Sequence, residues 1–132
     1  MKLQRNTLIA LCSVAECAAD PARQVSAAEI AAKYEVSTHH LAKVLNKLAR
    51  AGLLRAARGA GGGYRLAGNA KRVTLMDVIA LFEDIGTPRR RDAPPEKLAL
   101  DQVLEEIDET ARATFRSITL DTLRKLVARA QR

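Results

Sequence analysis

The sequence predicts a mainly α-helical protein with one small β-hairpin, and three observations support this. Of the 132 residues, 48% are hydrophobic but only 3% are aromatic and Trp is absent, so the core must be aliphatic and rich in alanine, which favours helices. In several segments, a residue that can cap a helix is followed by apolar residues at helical spacing. One short stretch instead places four glycines between two apolar segments, as a hairpin does.

The first two helices are predicted from their caps. Asn6 can cap a helix that runs to about Ala19, where Asp20 and Pro21 stop it. Ser26 and Glu29 have the spacing of a capping box, in which each side chain satisfies a backbone N–H of the helix terminus. A short helix should follow, with an apolar side formed by Ile30, Ala31 and Tyr34.

The third helix has the clearest pattern. After a tight turn at residues 35–37, Ser37 caps a helix that should end before Gly52. Four apolar residues at i, i+3, i+4 and i+7 form one stripe, namely Leu41, Val44, Leu45 and Leu48. At about 100° per residue, the point opposite Leu41 lies within about 40° of His39, Lys43, Asn46 and Arg50.

The glycine cluster lies in "RAARGAGGGYRLAG", residues 55–68. It is not a P-loop, because no Lys-Ser/Thr pair follows, and in a dinucleotide fingerprint the third glycine position falls on Tyr64. A flexible linker is the alternative, but the flanking strand-like segments are too regular for one. Glycine readily adopts the positive φ angles of a hairpin turn. We therefore expect a glycine-tipped hairpin that carries Arg55, Arg58 and Arg65.

Helix, turn, helix and hairpin in this order form a winged helix-turn-helix. Residues 1–92 contain 15 Lys/Arg and 8 Asp/Glu, whereas residues 93–132 contain 7 of each, so the whole net charge of +7 lies in the first part. This asymmetry indicates a polyanion-binding module, although a merely basic surface would give the same count. The second helix of such a motif enters the major groove, and a cationic wing suits the minor groove. The candidate DNA-binding residues are Ser37, Thr38, His39, His40, Lys43, Asn46, Lys47, Arg50, Arg55, Arg58, Gly59, Gly61, Gly62, Tyr64 and Arg65.

Three further helices are predicted in the remainder of the chain. Thr74 to Asp77 resembles a capping box, residues 86–95 read as a loop, and Thr119 can cap a final helix. Between the loop and Thr119, apolar residues follow an approximate heptad spacing, which predicts a helix of about 20 residues. The predicted organisation is a DNA-binding domain at 1–85, a loop at 86–95, and a long helix with a short final helix at 96–132.

Two cysteines, Cys12 and Cys17, are too few for a disulfide framework and favour the cytoplasm. Because they are five residues apart on one helix, they are separated by about 140° around the helix axis and by about 7.5 Å along it. An intrachain disulfide is therefore disfavoured. They either pack the first helix or act as candidate thiol-sensing residues. No catalytic constellation is present, and adjacent His39 and His40 diverge too far to chelate a metal well. We expect neither an enzyme nor a membrane protein.

The motifs resemble the Rrf-two (Rrf2) family of winged-helix transcriptional regulators, which includes the iron–sulfur cluster regulator and the nitric-oxide-sensing repressor. The resemblance rests on "MKL", "VSTHHLAKVLNKLARAGLLRAARGAGGGYRLA", "VTLMDVIALFE" and "SITLDTL". It implies a homodimer on a pseudo-palindromic operator, a repressor more often than an activator, and a minor-groove role for Arg58. It also implies that the long helix packs across the two-fold axis, through Leu100, Val103, Leu104, Ile107, Ala111, Phe115 and Ile118.

The sequence departs from the family where cluster-binding members place three cysteines. That loop reads "GTPRRRDAPPEKLAL" without a cysteine, and Leu8 stands in the N-terminal region where an Asp can serve as a ligand. We therefore expect no iron–sulfur cluster and no other cofactor. Arg89–Arg91 could contact DNA or an anionic effector, or be a solvated loop. The alternative function is a protein–protein adaptor that keeps the winged-helix scaffold but no longer binds DNA.

Overall fold

The computed structural model describes residues 2–59, 61–83 and 92–131, and it is mainly helical with one two-stranded antiparallel sheet, as the sequence predicts. The elements follow one another as α1 (Arg5–Ala19), α2 (Ala27–Tyr34), α3 (Thr38–Arg50), β1 (Leu54–Ala57), β2 (Gly63–Leu66), α4 (Leu75–Phe82), α5 (Pro95–Ser117) and α6 (Leu120–Ala130).

Helix α1 lies at the centre of the fold and packs against α3, α4, α6 and β2. Its buried side includes Ala10, Val14 and Cys17, which belong to the same core cluster as the leucines of α3. The core is aliphatic, as expected from the composition, since all four aromatic side chains are only half-buried. Two polar residues of α1 are also fully buried, and the Ser13 hydroxyl donates to the Ile9 carbonyl at 2.8 Å.

The first helix ends at Ala19 as predicted, but the prediction that Asn6 caps it is wrong. The cap position is Gln4, and Asn6 lies inside the helix. The cap comes instead from Glu83, just after α4, whose Oε1 accepts from the Gln4 N–H at 2.6 Å and from the Thr7 hydroxyl at 2.8 Å. A carboxylate placed there satisfies otherwise unpaired donors at the helix N-terminus.

The other predicted caps form, with one difference. The Ser26 hydroxyl accepts from the Glu29 N–H at 3.1 Å, but the Glu29 carboxylate pairs with Arg23 rather than completing the box. Thr74 and Asp77 form a complete capping box at the start of α4. Thr119 caps α6 by accepting from the Thr122 N–H at 3.2 Å.

Two left-handed residues direct the chain around α3. Glu35 (φ 54°) lies in the tight turn between α2 and α3. Gly52 (φ 82°) follows α3, where the Leu53 N–H donates to the Leu48 carbonyl at 3.1 Å and the Gly52 N–H donates to the Ala49 carbonyl at 3.0 Å. This is a Schellman motif. It turns the chain so that β1 begins against α3.

The hairpin pairs Leu54 with Leu66 at its base and Ala57 with Gly63 near its tip. Sequence reasoning missed a third segment of this sheet. Val25 and Tyr64 exchange both backbone hydrogen bonds, at 2.9 and 2.8 Å, so a residue two positions before α2 extends the pairing beyond β2. Nothing in the local pattern around a single valine signals such a bridge.

Helix α5 has 23 residues and begins at Pro95, one residue earlier than the expected boundary. Of the predicted loop, residues 86–91, and with them Arg89–Arg91, lie outside the described residues. No helix within the three described ranges has the length and apolar character needed to cross a membrane.

Candidate nucleic-acid interface

Helix α3 separates apolar and polar side chains onto opposite sides. Its four stripe residues are at most 2% exposed and form the centre of the core. This burial fixes the rotation of the helix, so the other side must face solvent. The Ser37 hydroxyl caps the helix by accepting from the His40 N–H at 3.1 Å. The exposed positions are Thr38, His39, Lys43, Asn46, Lys47 and Arg50.

His40 differs from the other candidates on α3. It is half-buried, and its Nε2 lies 2.6 Å from Oδ1 of Asn6 on α1. The Asn6 carboxamide that was expected to cap α1 therefore ties the first turn of α3 to α1. This contact gives His40 a role in holding α3 in place.

Lys47 contacts the last residue of α4. Its ammonium nitrogen lies 4.9 Å from the centroid of the Phe82 ring, within the range of a cation–π contact. Lys47 is nevertheless exposed. Its charge is thus located near the C-terminal end of α3, beside α4.

The hairpin carries its arginines on one face and near its tip. Arg55 and Arg65 are cross-strand partners, on the face opposite the Leu54–Leu66 pair, because side chains alternate along a strand. Arg58 is exposed immediately before the glycines. Tyr64 is half-buried and packs against the core. Its backbone bridges to Val25, so its contacts indicate a role in fixing the hairpin.

The glycines of the hairpin serve two different purposes. Gly59 and Gly61 have φ angles of 91° and 78°, which turn the chain at the tip. Gly62 and Gly63 instead lie against neighbouring backbone. A Cβ would approach the Ala57 carbonyl oxygen to 2.6 Å at Gly62, and the Val25 carbonyl oxygen to 2.6 Å at Gly63. The cluster is therefore a packed turn, which agrees with the hairpin interpretation.

Among the residues that the structure describes, the basic side chains of α3 and the hairpin form no ion pair with an acidic side chain. Within residues 2–59, 61–83 and 92–131, the ion pairs are formed by Arg23, which lies between α1 and α2, and by cations of α2, α5 and α6. None involves Lys43, Lys47, Arg50, Arg55, Arg58 or Arg65. These charges are therefore available to an external anion.

The two cysteines do not form a reactive pair. Both are free thiols, with Cys17 fully buried and Cys12 half-buried on α1. Burial, with a smaller contribution from the Glu16 charge, raises the pKa of Cys17 to about 11 and also raises the pKa of Cys12. A raised pKa lowers the fraction of reactive thiolate, and thiol sensing by Cys12 or Cys17 stays a prediction.

The residues do not fit an iron–sulfur cluster either. The chain contains only Cys12 and Cys17, and the thiol of Cys17 is enclosed by the core. Across the described part of the chain, no group of three or more His, Cys, Asp or Glu side chains is placed to hold a metal ion. Such clusters need several thiolate, imidazole or carboxylate ligands together.

The predicted dimer residues divide into two groups. Leu100, Val103, Leu104 and Ile107 form one stripe on α5 and are each 50–55% exposed. Ala111 and Phe115 in the second half of α5, and Ile118 directly after it, are half-buried. The first part of α5 thus presents an apolar face to solvent in the single chain.

Comparison with known proteins agrees with this arrangement. Residues 3–126 match the Rrf2 family model, described as an iron-dependent transcriptional regulator. A protein of Rhodopseudomonas palustris named as the HTH-type transcriptional regulator BadM is 52% identical over 130 residues, which cover 96% of this chain and 83% of that protein.

Two solved structures have the same fold. CymR, the global cysteine regulator of B. subtilis, superposes with a TM-score of 0.82 at 26% identity, over 96% of this chain and 98% of CymR. IscR of T. potens superposes with a TM-score of 0.84 at 25% identity, over 100% of this chain and 92% of IscR. With a family model that spans almost the whole chain, the protein belongs to the Rrf2 family of winged-helix, DNA-binding transcriptional regulators.

Proposed function

We propose that this Rrf2 regulator is a cytoplasmic repressor that reads a specific DNA sequence with α3 and the hairpin. One observation carries the proposal. The exposed side of α3 presents six polar side chains, opposite its buried apolar stripe. The next element is a hairpin with three arginines that lack acidic partners within the described ranges. A recognition helix with this division fits the major groove.

The residues differ in the contacts that their chemistry allows. Thr38, His39 and Lys43 lie in the first half of α3, which faces base edges in this motif, and Asn46 can form a paired hydrogen bond to adenine. Lys47 and Arg50, near the end of α3, suit phosphates. Arg58 at the hairpin tip suits the minor groove, whose narrow form concentrates negative potential. Arg55 on β1 and Arg65 on β2 lie farther from the hairpin tip, and they suit the DNA phosphates that flank the minor groove.

The protein should bind DNA as a homodimer through α5. Its exposed stripe of Leu100, Val103, Leu104 and Ile107 has the spacing of a helix–helix contact, and the same stripe on a second copy is its natural partner. Two copies related by a two-fold axis match a pseudo-palindromic operator. Because the cysteines do not fit a cluster, binding should be independent of iron.

The test begins with selection of bound duplexes from a random library by the purified full-length protein. Fluorescence anisotropy then gives the Kd for the selected duplex and for a scrambled duplex at several salt concentrations. We expect affinity to fall steeply with salt. Arg58→Ala should weaken specific binding by about 10-fold or more, whereas Lys47→Ala should weaken binding to both duplexes similarly.

Arg129→Ala is the matched control, since it removes one exposed positive charge from α6, away from α3 and the hairpin. It should change neither Kd by more than about twofold. Failure to select any sequence, or equal affinity of the wild-type protein for both duplexes, would refute sequence-specific binding. Unchanged affinity of Arg58→Ala would refute the role of the hairpin.

A further inference from the structure

The end of α4 contacts α1 and α3 through two consecutive residues. Phe82 is the last residue of α4, and Glu83 follows it. The Phe82 ring lies against Lys47 near the C-terminal end of α3, and the Glu83 carboxylate lies at the N-terminus of α1. Two adjacent residues therefore reach two different helices.

The contact of Glu83 with α1 is well defined. One carboxylate oxygen, Oε1, accepts from both the Gln4 N–H and the Thr7 hydroxyl, at 2.6 and 2.8 Å. Thr7 is fully buried, and Glu83 is half-buried. Two donors that share one acceptor oxygen are held in place relative to that oxygen, whether it belongs to a carboxylate or to an amide. This oxygen therefore sets the position of the first turn of α1 relative to α4.

The same turn of α1 holds the N-terminus of α3. Asn6 lies between Gln4 and Thr7 in the sequence, and its Oδ1 is 2.6 Å from Nε2 of His40. His40 is in the first turn of α3, directly after Thr38 and His39. A shift of the first turn of α1 would therefore move His40 and the DNA-facing residues beside it.

We propose that Glu83 is a positioning residue for the DNA-reading side of α3, acting through the Thr7–Asn6 turn of α1 and the Asn6–His40 hydrogen bond. The Phe82–Lys47 contact holds α3 near its other end, so the end of α4 positions α3 at two points. The inference rests on the proposed function, because it assigns Glu83 an effect on sequence recognition. Glu83 itself contacts no DNA.

The test compares Glu83→Ala with Glu83→Gln in the full-length protein. Both variants lose the negative charge, but the glutamine carbonyl can still accept from Gln4 and Thr7. We expect Glu83→Ala to weaken binding to the selected duplex about tenfold, the size of one well-aligned base contact, with a change of less than about twofold on scrambled duplex. Glu83→Gln should stay close to wild type.

Three controls separate positioning from folding and from charge. Glu96→Ala removes an exposed carboxylate from the first turn of α5 and should leave both Kd values unchanged. Asn6→Ala should reproduce the loss of Glu83→Ala, and the double variant should lose no more than either single variant. Thermal unfolding confirms that each variant is folded at the assay temperature.

A second measurement does not depend on DNA. In NMR spectra of the free protein, the ring signals of His40 should shift in Glu83→Ala and return in Glu83→Gln, while those of exposed His39 serve as the reference. Unchanged His40 signals, unchanged discrimination between the duplexes, or a parallel loss on both duplexes would overturn the inference. If the wild-type protein binds the selected and scrambled duplexes equally well, the proposed function fails. The NMR signals of His40 then still decide whether Glu83 positions α3.

Discussion

Arg55 and Arg65 lie directly opposite each other in the antiparallel pair of β1 and β2. Like charges at opposed positions destabilise a hairpin. Neither guanidinium has an acidic partner among the residues that the structure describes, although acceptors are common elsewhere on the surface. A polyanion would relieve the repulsion, so this pair suits binding better than it suits the stability of the free protein.

Replacement of one member of this pair should therefore separate stability from binding. We expect Arg55→Thr to raise the free energy of unfolding by roughly 0.2–1 kcal/mol, because it removes the repulsion and introduces a residue that favours strands. The same change should weaken DNA binding and lower the slope of log K against log salt by about one. Urea unfolding and anisotropy measure the two effects. A less stable variant with unchanged DNA affinity would contradict this view of the pair.

Replacement by alanine should affect stability differently at Gly63, in β2, and at Gly68, just after it. In Gly63→Ala the new Cβ would meet the Val25 carbonyl oxygen at 2.6 Å, so backbone must move and stability should fall by roughly 1–3 kcal/mol. Gly68→Ala is the matched control, since its Cβ would make only an ordinary contact with Val73 at 3.4 Å. Urea unfolding measures both. Equal stability of the two variants would contradict the close approach of Val25 and Gly63.

The exposed face of α5 should control the oligomeric state. Ile107→Glu places a charge within the apolar stripe, where burial in a dimer would be costly. We expect a monomer by light scattering and weaker binding to a two-half-site duplex. Gln102→Glu adds the same charge on the opposite side of the helix and should remain dimeric. A wild-type monomer, or a dimeric Ile107→Glu variant, would refute this interface.

Glu16 and Tyr34 should make stability depend on pH in two ranges. Burial opposes the charged form of Glu16, but hydrogen bonds from Lys33 and Tyr34, the latter at 2.6 Å, outweigh it and lower its pKa. The Glu16 contribution should therefore be present above its unfolded pKa of about 4.3 and be lost as the pH falls further. Burial and the bond to Glu16 raise the pKa of Tyr34, so its contribution should be lost as the pH rises above about 10.

Urea unfolding as a function of pH checks both parts. The destabilisation of Glu16→Gln relative to wild type should shrink in acid, and that of Tyr34→Phe should shrink in alkali. Glu29→Gln, which breaks the exposed pair with Arg23, should cost less than about 1 kcal/mol. If the free energy of unfolding of each variant differed from that of wild type by the same amount at every pH, the assigned pKa directions would be contradicted.

The thiols should react slowly in the folded protein. Because Cys17 is fully buried with a pKa of about 11, alkylation at pH 8 should require unfolding, and Cys12 should react more slowly than a free thiol. Pulsed alkylation with mass spectrometry measures each site, with protein in urea as the reference. Rapid labelling of Cys17 in the native protein would contradict this expectation, and an oxidant-dependent change in DNA affinity would support thiol sensing.

The contacts that surround the candidate site could not be predicted from the sequence. Asn6 has the chemistry of a cap, but the carboxylate of Glu83 takes that role and frees Asn6 to bind His40. His40 and Tyr64 are both predicted to contact DNA, and their observed contacts also hold α3 and the hairpin. These partners lie 34 to 79 residues apart in the sequence, so no local pattern marks them and only folding brings them together.

By itself, the sequence determined the helices, their caps at Ser26, Ser37, Thr74 and Thr119, and the glycine-tipped hairpin. Such features depend on side-chain periodicity and on hydrogen bonds between residues a few positions apart, so a short window contains all of the necessary information. The tertiary structure alone decided that Val25 joins the sheet, that Glu83 caps α1 and that α1 holds His40. The physical reason is that each of these contacts satisfies a donor or acceptor whose partner is chosen by the packing of whole helices around α1.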